Sequence, residues 1–184
     1  MSWNLVRLAD VAPAPWRNGG GVTRELLAWP DADRWRVRLS VAEVERDGPF
    51  SVFEGVQRVF AVLAGAGVRL RVEGQEHLLT TADAPLHFDG AARVDCALVD
   101  GATQDFNLMT CGGQAVMRRV AGTWSGQASA MSFIAVYASG KRATAVFGSE
   151  ELHLPPHVLA WRILEAAAPV QVTAQDALWM EVKS

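Results

Sequence analysis

Cysteine is nearly absent from this chain. Cys96 and Cys111 are its only two, too few for a disulfide-built scaffold. Cys96 falls in the apolar phase of an expected strand, where a free thiol packs as a small hydrophobe. Both are read as reduced thiols of a cytoplasmic protein. Long apolar runs are missing too: no stretch reaches the ~18 residues of a membrane-spanning helix. The first residues meet Asn4, Arg7 and Asp10 without the apolar run of a signal peptide. Nor is there an excess of one charge. Seventeen basic residues stand against 20 acidic ones, a net charge of −3, and the arginines are scattered, so no footprint for nucleic acid is present. Neither nucleic acid nor membrane is therefore an expected partner.

Helical periodicity is scarce as well. Leu159 to Ala168 has helix-favouring composition, yet Pro155-Pro156 precedes it, Pro169 follows it, and Trp161 and Ile163 alternate with Ala160 and Arg162. It is read as strand. Metal and nucleophile signatures are also wanting. His153 and His157 have the four-residue spacing of a helical zinc motif, but Pro155 and Pro156 between them exclude the helix. His77 and His87 have no neighbouring ligand, and C-x-x-C is missing. Ser125 lacks the flanking glycines of a nucleophile elbow. Asn18-Gly19-Gly20-Gly21 lacks the G-K-[ST] ending of a phosphate loop.

What is present is alternation. Half of the 184 residues are hydrophobic and seven are tryptophan, ample for the core of one domain or of two small, closely packed halves. Trp35, Val37, Leu39 and Val41 share one phase while Arg34, Arg36, Arg38 and Ser40 share the other, the period of a half-buried strand. The same pattern recurs at Val68–Val72, Val94–Leu98 and Asp105–Met109. Turn signals such as Asp47-Gly48-Pro49, Glu73-Gly74, Asp89-Gly90 and Asp100-Gly101 separate these runs. The spacing predicts an all-β antiparallel sandwich or barrel. Gly112-Gly113 reads as a seam, followed by strands at Val116–Val120, Met131–Ala138, Ala143–Phe147, Glu151–Leu154 and Leu178–Val182. Tyr137-Ala138-Ser139-Gly140-Lys141 echoes Leu63-Ala64-Gly65-Ala66-Gly67, a weak sign of two similar β units.

The densest chemistry lies in Pro15-Trp16-Arg17-Asn18-Gly19-Gly20-Gly21-Val22-Thr23-Arg24-Glu25. Two readings stand: a tight connection with Trp16 as a core plug, or a binding loop whose polar groups face a pocket. A second spacing matters. Metal-binding cupins carry H-x-H-x₃₋₄-E-x₆-G, and Ser51-Val52-Phe53, Arg58 and Gly65 keep that spacing with every ligand replaced. A guanidinium pointing into a barrel repels a divalent cation and suits a carboxylate, which it can hold through two charge-assisted hydrogen bonds. The face carrying Arg58 also carries Phe60 and Val62, so an apolar pocket wall is expected.

Three ordered blocks resemble the HutD/Ves family. Pro15 through Glu25 resembles its P-W-[KR]-N-G-G-G-x-T-x-E signature. Ser40 through Arg58 resembles S-x-A-x-V-x-x-D-G-P-F-S-x-[FY]-x-G-x-x-R. Asp89-Gly90, Val94-Asp95-Cys96 and Asp105-Phe106-Asn107-Leu108-Met109 follow F-D-G…V-x-C…D-x-N-L-M. The resemblance implies a cupin-like β-sandwich or barrel, a bicupin of RmlC-like jelly-roll type with no metal ligands and no cofactor. Residues 1–112 would form the unit with the ligand site, and 113–184 a second unit packed against it. It further implies a regulatory role in histidine utilization through binding an intermediate such as formylglutamate or urocanate, both carboxylates. Carried over by position, the ligand-binding residues are Asn18, Thr23, Glu25, Ser51, Arg58, Asn107 and Met109, with Asp105 and Arg46 behind them.

A non-enzymatic small-carboxylate binder is thus the leading expectation. The rival is a metal-independent enzyme acting on a formylated or imidazole-containing acid, with Glu25 or Glu43 as base. A third reading is a structural or partner-binding cupin in which Arg58 holds Asp105. Homodimerisation through sheet edges is the oligomeric expectation.

Overall fold

A computed structural model describes residues 2–183. Up to the glycine pair run β1 (Asn4–Arg7), β2 (Ala14–Pro15), β3 (Gly21–Trp29), β4 (Val37–Val44), β5 (Gly48–Pro49), β6 (Val56–Ala64), β7 (Val68–Val72), β8 (Gln75–Leu79), β9 (Leu86–Asp89), β10 (Val94–Leu98) and β11 (Thr103–Cys111). Beyond it run β12 (Gln114–Ala128), β13 (Ser132–Ala138), β14 (Ala143–Phe147), β15 (Glu150–Leu154), β16 (Val158–Leu164) and β17 (Ala168–Lys183). Among the described residues the helical content is a single 3-10 turn, Leu8–Asp10. The all-β expectation is met, and the chain from Leu159 does run as strand until a turn after Leu164.

Two units are distinguished, and the seam between them falls where the glycine pair lies. Val11–Gly112 forms one. It holds a six-stranded sheet, β2-β3-β4-β11-β6-β9, and a four-stranded sheet, β5-β10-β7-β8, with every pairing antiparallel. The inward phase of each strand supplies the core: Ala42 and Val44, Phe60 and Val62, Val68 and Leu70, Val94 and Cys96. One strand starts later than its pattern suggests. Asp31 Oδ1 accepts the N–H groups of Asp33 and Arg34 at 3.1 and 2.8 Å, a side-chain turn just ahead of the strand.

The other unit joins the N-terminal segment up to Asp10 with the chain from Gly113 onward. The expected boundary, 1–112 against 113–184, is therefore corrected at its first ten residues. β1 pairs antiparallel with β16, Leu5 opposite Ala160, and Leu8 N–H donates to the His157 carbonyl at 2.9 Å. Trp3 packs against Phe147 at a tilt, with ring centroids 4.7 Å apart. The order here is β1-β16-β13-β17-β14-β15, with β12 also pairing β17. Its core gathers Ile134, Val136, Ala145, Leu154, Ala160, Val172 and Trp179.

Candidate functional site

Three neighbouring strands of the Val11–Gly112 unit set the site by their register. On β11, Met109 lies between Arg38 of β4 and Arg58 of β6, and Asn107 lies between Ser40 and Phe60. Because residues i and i+2 share a face, these rows present two guanidiniums, an amide, a hydroxyl, a thioether and a phenyl ring side by side. The segments Ala14–Asn18 and Pro49–Phe53 complete a cavity of about 500 Å³.

Arg58 is its central group and is 5% exposed. Nη2 donates to Asn107 Oδ1 at 2.7 Å, and Nη1 makes a long contact, 3.4 Å, with the Ser51 carbonyl. Both acceptors are neutral, and the buried Nε–H has no partner. Phe50, Phe53 and Phe88 hold their ring centroids 5.3, 5.8 and 5.0 Å from the guanidinium carbon. These rings offer a cation–π surface while keeping water away. Burial, and then the nearby positive charge of Arg38, lowers the Arg58 pKa to about 10. The group remains a cation at neutral pH, and among the described residues no carboxylate pairs with it. Asp105, the core acid considered as its partner, instead accepts from Thr103 Oγ1 at 2.8 Å. Burial pushes the Asp105 pKa up to about 7, opposed by that hydrogen bond.

The glycine-rich loop is fastened to itself. Trp16 N–H donates to the Gly21 carbonyl at 2.9 Å, Gly19 N–H to the Trp16 carbonyl at 3.0 Å, and Gly20 N–H to Asn18 Oδ1 at 2.9 Å. Gly19 takes φ +68°, a backbone conformation unfavourable for other residues. At Gly21 a Cβ would stand 2.2 Å from the Glu43 carbonyl oxygen, so only glycine allows the two backbones to approach this closely. Neither earlier reading of the loop suffices alone. Trp16 lines the cavity, with its indole N–H donated to Thr23 Oγ1 at 2.7 Å.

Of the expected ligand-binding residues, Asn18, Thr23, Ser51, Arg58, Asn107 and Met109 all line this one cavity. Glu25 does not. It sits opposite Ser40 at a register shift, and its carboxylate pairs with Arg38 Nε. Glu43, the other base considered, pairs with Arg24 at 3.5 Å and is also outside the lining. Arg46 is exposed, and only its backbone N–H reaches the loop, at the Gly20 carbonyl. Arg38, Ser40, Phe50 and Phe53 belong to the lining but were not among the expected ligand-binding residues. The signal for the first two was their phase with each other on β4, read there as a solvent face. At the positions where a metal cupin keeps its ligands stand Ser51, Phe53 and Arg58, and this donor set does not fit a divalent cation.

Two antiparallel sheets with a cavity that Arg58 lines define a cupin-type protein. A cupin 2 conserved barrel domain protein from Leptotrichia buccalis shares the fold at 9% identity, with a TM-score of 0.55 over 98% of this chain and 96% of that one. The chain belongs to the HutD family, whose profile matches residues 8–181, a family linked to the histidine-utilization locus. It is similar to the HutD of Pseudomonas fluorescens SBW25, solved in a formate condition: 28% identity, TM-score 0.86, covering 99% of this chain and 98% of that one. It is also 41% identical over 107 residues to an uncharacterized 21.2 kDa protein in the hutC 3′ region of Pseudomonas putida, a match covering 57% of this chain and 56% of that protein. The chain thus spans about half the length of the curated relatives it matches.

Proposed function

We propose that this protein is a binding protein for a small carboxylate metabolite, acting as a regulatory component of histidine utilization rather than as an enzyme. One observation carries the reading: the buried, aromatic-flanked Arg58 faces the cavity with an unpartnered Nε–H and only neutral oxygens on its other donors. A desolvated cation costs free energy unless an anion joins it, and a ligand carboxylate offers two oxygens to the planar guanidinium. Formylglutamate and urocanate are both carboxylates, and both fall within the size a cavity of about 500 Å³ accommodates. Family membership and the hutC-region relative support the metabolic setting.

The make-up of the lining favours binding over turnover. Among the described lining residues there is no carboxylate, histidine, cysteine, lysine or tyrosine, hence no side chain suited to exchange a proton near neutral pH. The two glutamates considered as bases do not line it and are each paired with an arginine, Glu25 with Arg38 and Glu43 with Arg24.

A thermal-shift screen against formylglutamate, urocanate, histidine and glutamate, with EDTA controls, tests the reading. A ligand that binds the native state raises the melting temperature, so a rise with one acid that EDTA does not change is expected. Arg58→Ala should weaken that ligand by more than about tenfold, since losing a buried charge partner costs roughly 2–5 kcal/mol. Wild-type affinity in calorimetric titration of this variant would remove Arg58 as the anchor.

A further inference from the structure

The hydrogen-bonding groups of the cavity are unbalanced. Both lining amides have their oxygens committed: Asn107 Oδ1 to Arg58 and Asn18 Oδ1 to Gly20 N–H. Those donors settle which way each amide points, so both Nδ2 groups are the ends left for a ligand. Thr23 Oγ1 already accepts the Trp16 indole N–H, which leaves its hydroxyl proton to be donated. Arg58 and Arg38 can only donate, and Arg17 at the rim adds a third guanidinium. The Glu25 carboxylate is held by Arg38 and is not part of the lining. The lining is therefore rich in donors and cations and offers an incoming N–H₃⁺ no anionic acceptor.

We propose that the cavity selects carboxylates lacking a free ammonium group, accepting deaminated or N-acylated acids and refusing the matching α-amino acids. This deepens the reading of Arg58 as the carboxylate anchor and rests on it. An α-ammonium is attached one carbon away from its carboxylate, so anchoring the acid on Arg58 carries the ammonium in beside it. There it loses water, finds no anionic side chain in the lining and meets the Arg58 guanidinium, whose acceptors are both neutral, Arg38 being already paired with Glu25. Unpaired charge and like-charge contact are how a site discriminates against a near-identical competitor. Acylating the amine removes its charge and supplies a carbonyl oxygen for the free Nδ2 groups. Removing the amine leaves apolar carbon for Phe50, Phe60 and Met109.

Calorimetric titration of the full chain with glutarate, N-acetylglutamate and glutamate tests this, because the three share one carbon chain and differ at the amine. Glutarate and N-acetylglutamate are expected to bind at least about tenfold more tightly than glutamate. Glutamate binding as tightly as glutarate, with both weakened in Arg58→Ala, overturns the selection while the anchor stands. No binding by any of the three, or binding indifferent to Arg58→Ala, overturns the anchor and the selection together. Asn18→Asp keeps the oxygen that Gly20 N–H needs and turns the free donor into a carboxylate oxygen. It should narrow the glutarate-to-glutamate ratio by at least about threefold. An unchanged ratio would assign the refusal to shape and overturn the donor argument.

Discussion

At the scale of single residues, the buried Arg58 and Asp105 of the site unit meet opposite fates. Arg58 stays charged because burial lowers its pKa only to about 10, whereas Asp105, with an unpartnered Oδ1 and 0% exposure, is pushed toward its neutral form. Its folded pKa of about 7 lies above the ~3.9 of an unfolded aspartate. The native state therefore holds this proton more firmly. The associated stability is complete below the unfolded value and is lost as pH rises through about 7. Asp105→Asn keeps an oxygen for Thr103 and removes the charge. Relative to wild type it should gain stability as pH goes from 5 to 8, by at least about 1 kcal/mol; denaturant melts across that range give the difference. A gap that does not change with pH would show that Asp105 does not titrate there. The same acid, together with burial and Asp47, raises the Cys96 thiol to about 12, burial being the largest cause, so this cysteine should resist thiol reagents in the native state.

At the scale of elements, the loop before β3 is the most constrained piece of the site. Gly21→Ala places a methyl group against the Glu43 carbonyl. It should cost roughly 1–3 kcal/mol, in line with other overpacked positions, and pull Asn18 and Trp16 out of place. A lowered melting temperature with weakened ligand binding is expected. Gly19→Ala, with open space around it, should show the smaller cost of a strained φ alone. Much of this layer was legible beforehand. Period-two alternation located the strands, the glycine pair marked the seam, and the spacing of Ser51, Phe53 and Arg58 pointed at one cavity. Arg38 and Ser40 escaped because alternation separates two faces without saying which one curls around a hollow. On β4 the apolar face and the cavity-lining face are both largely buried, and only pairing with Met109 and Asn107 shows that the second lines the cavity. Glu25 was misplaced for a related reason: the register shift between Glu25 and Leu27 has no mark in the residue pattern.

At the scale of the whole molecule, the chain's beginning is part of the fold of its end. β1 covers one edge of β16, and Trp3 lies over Arg162 at 4.5 Å from the guanidinium carbon while packing against Phe147. Trp3→Ala should lower the melting temperature, at a cost on the order of 3 kcal/mol for a lost aromatic. Because Trp3 and the ligand cavity belong to different units, ligand affinity measured well below the melting point should change by less than about twofold, as for independent sites. Affinity falling together with stability would tie the two units into one energetic whole.

The unmatched guanidinium of Arg58 also bears on how this protein is handled. If Arg58 is the carboxylate anchor proposed above, acetate, formate or citrate in a buffer should compete for it. Apparent affinities should then follow the identity of the buffer anion more than total ionic strength, since a buried charge is poorly screened by salt. Protein exchanged into a bulky zwitterionic buffer should bind its metabolite most tightly, and each carboxylate buffer should weaken that binding in proportion to its own occupancy of the arginine.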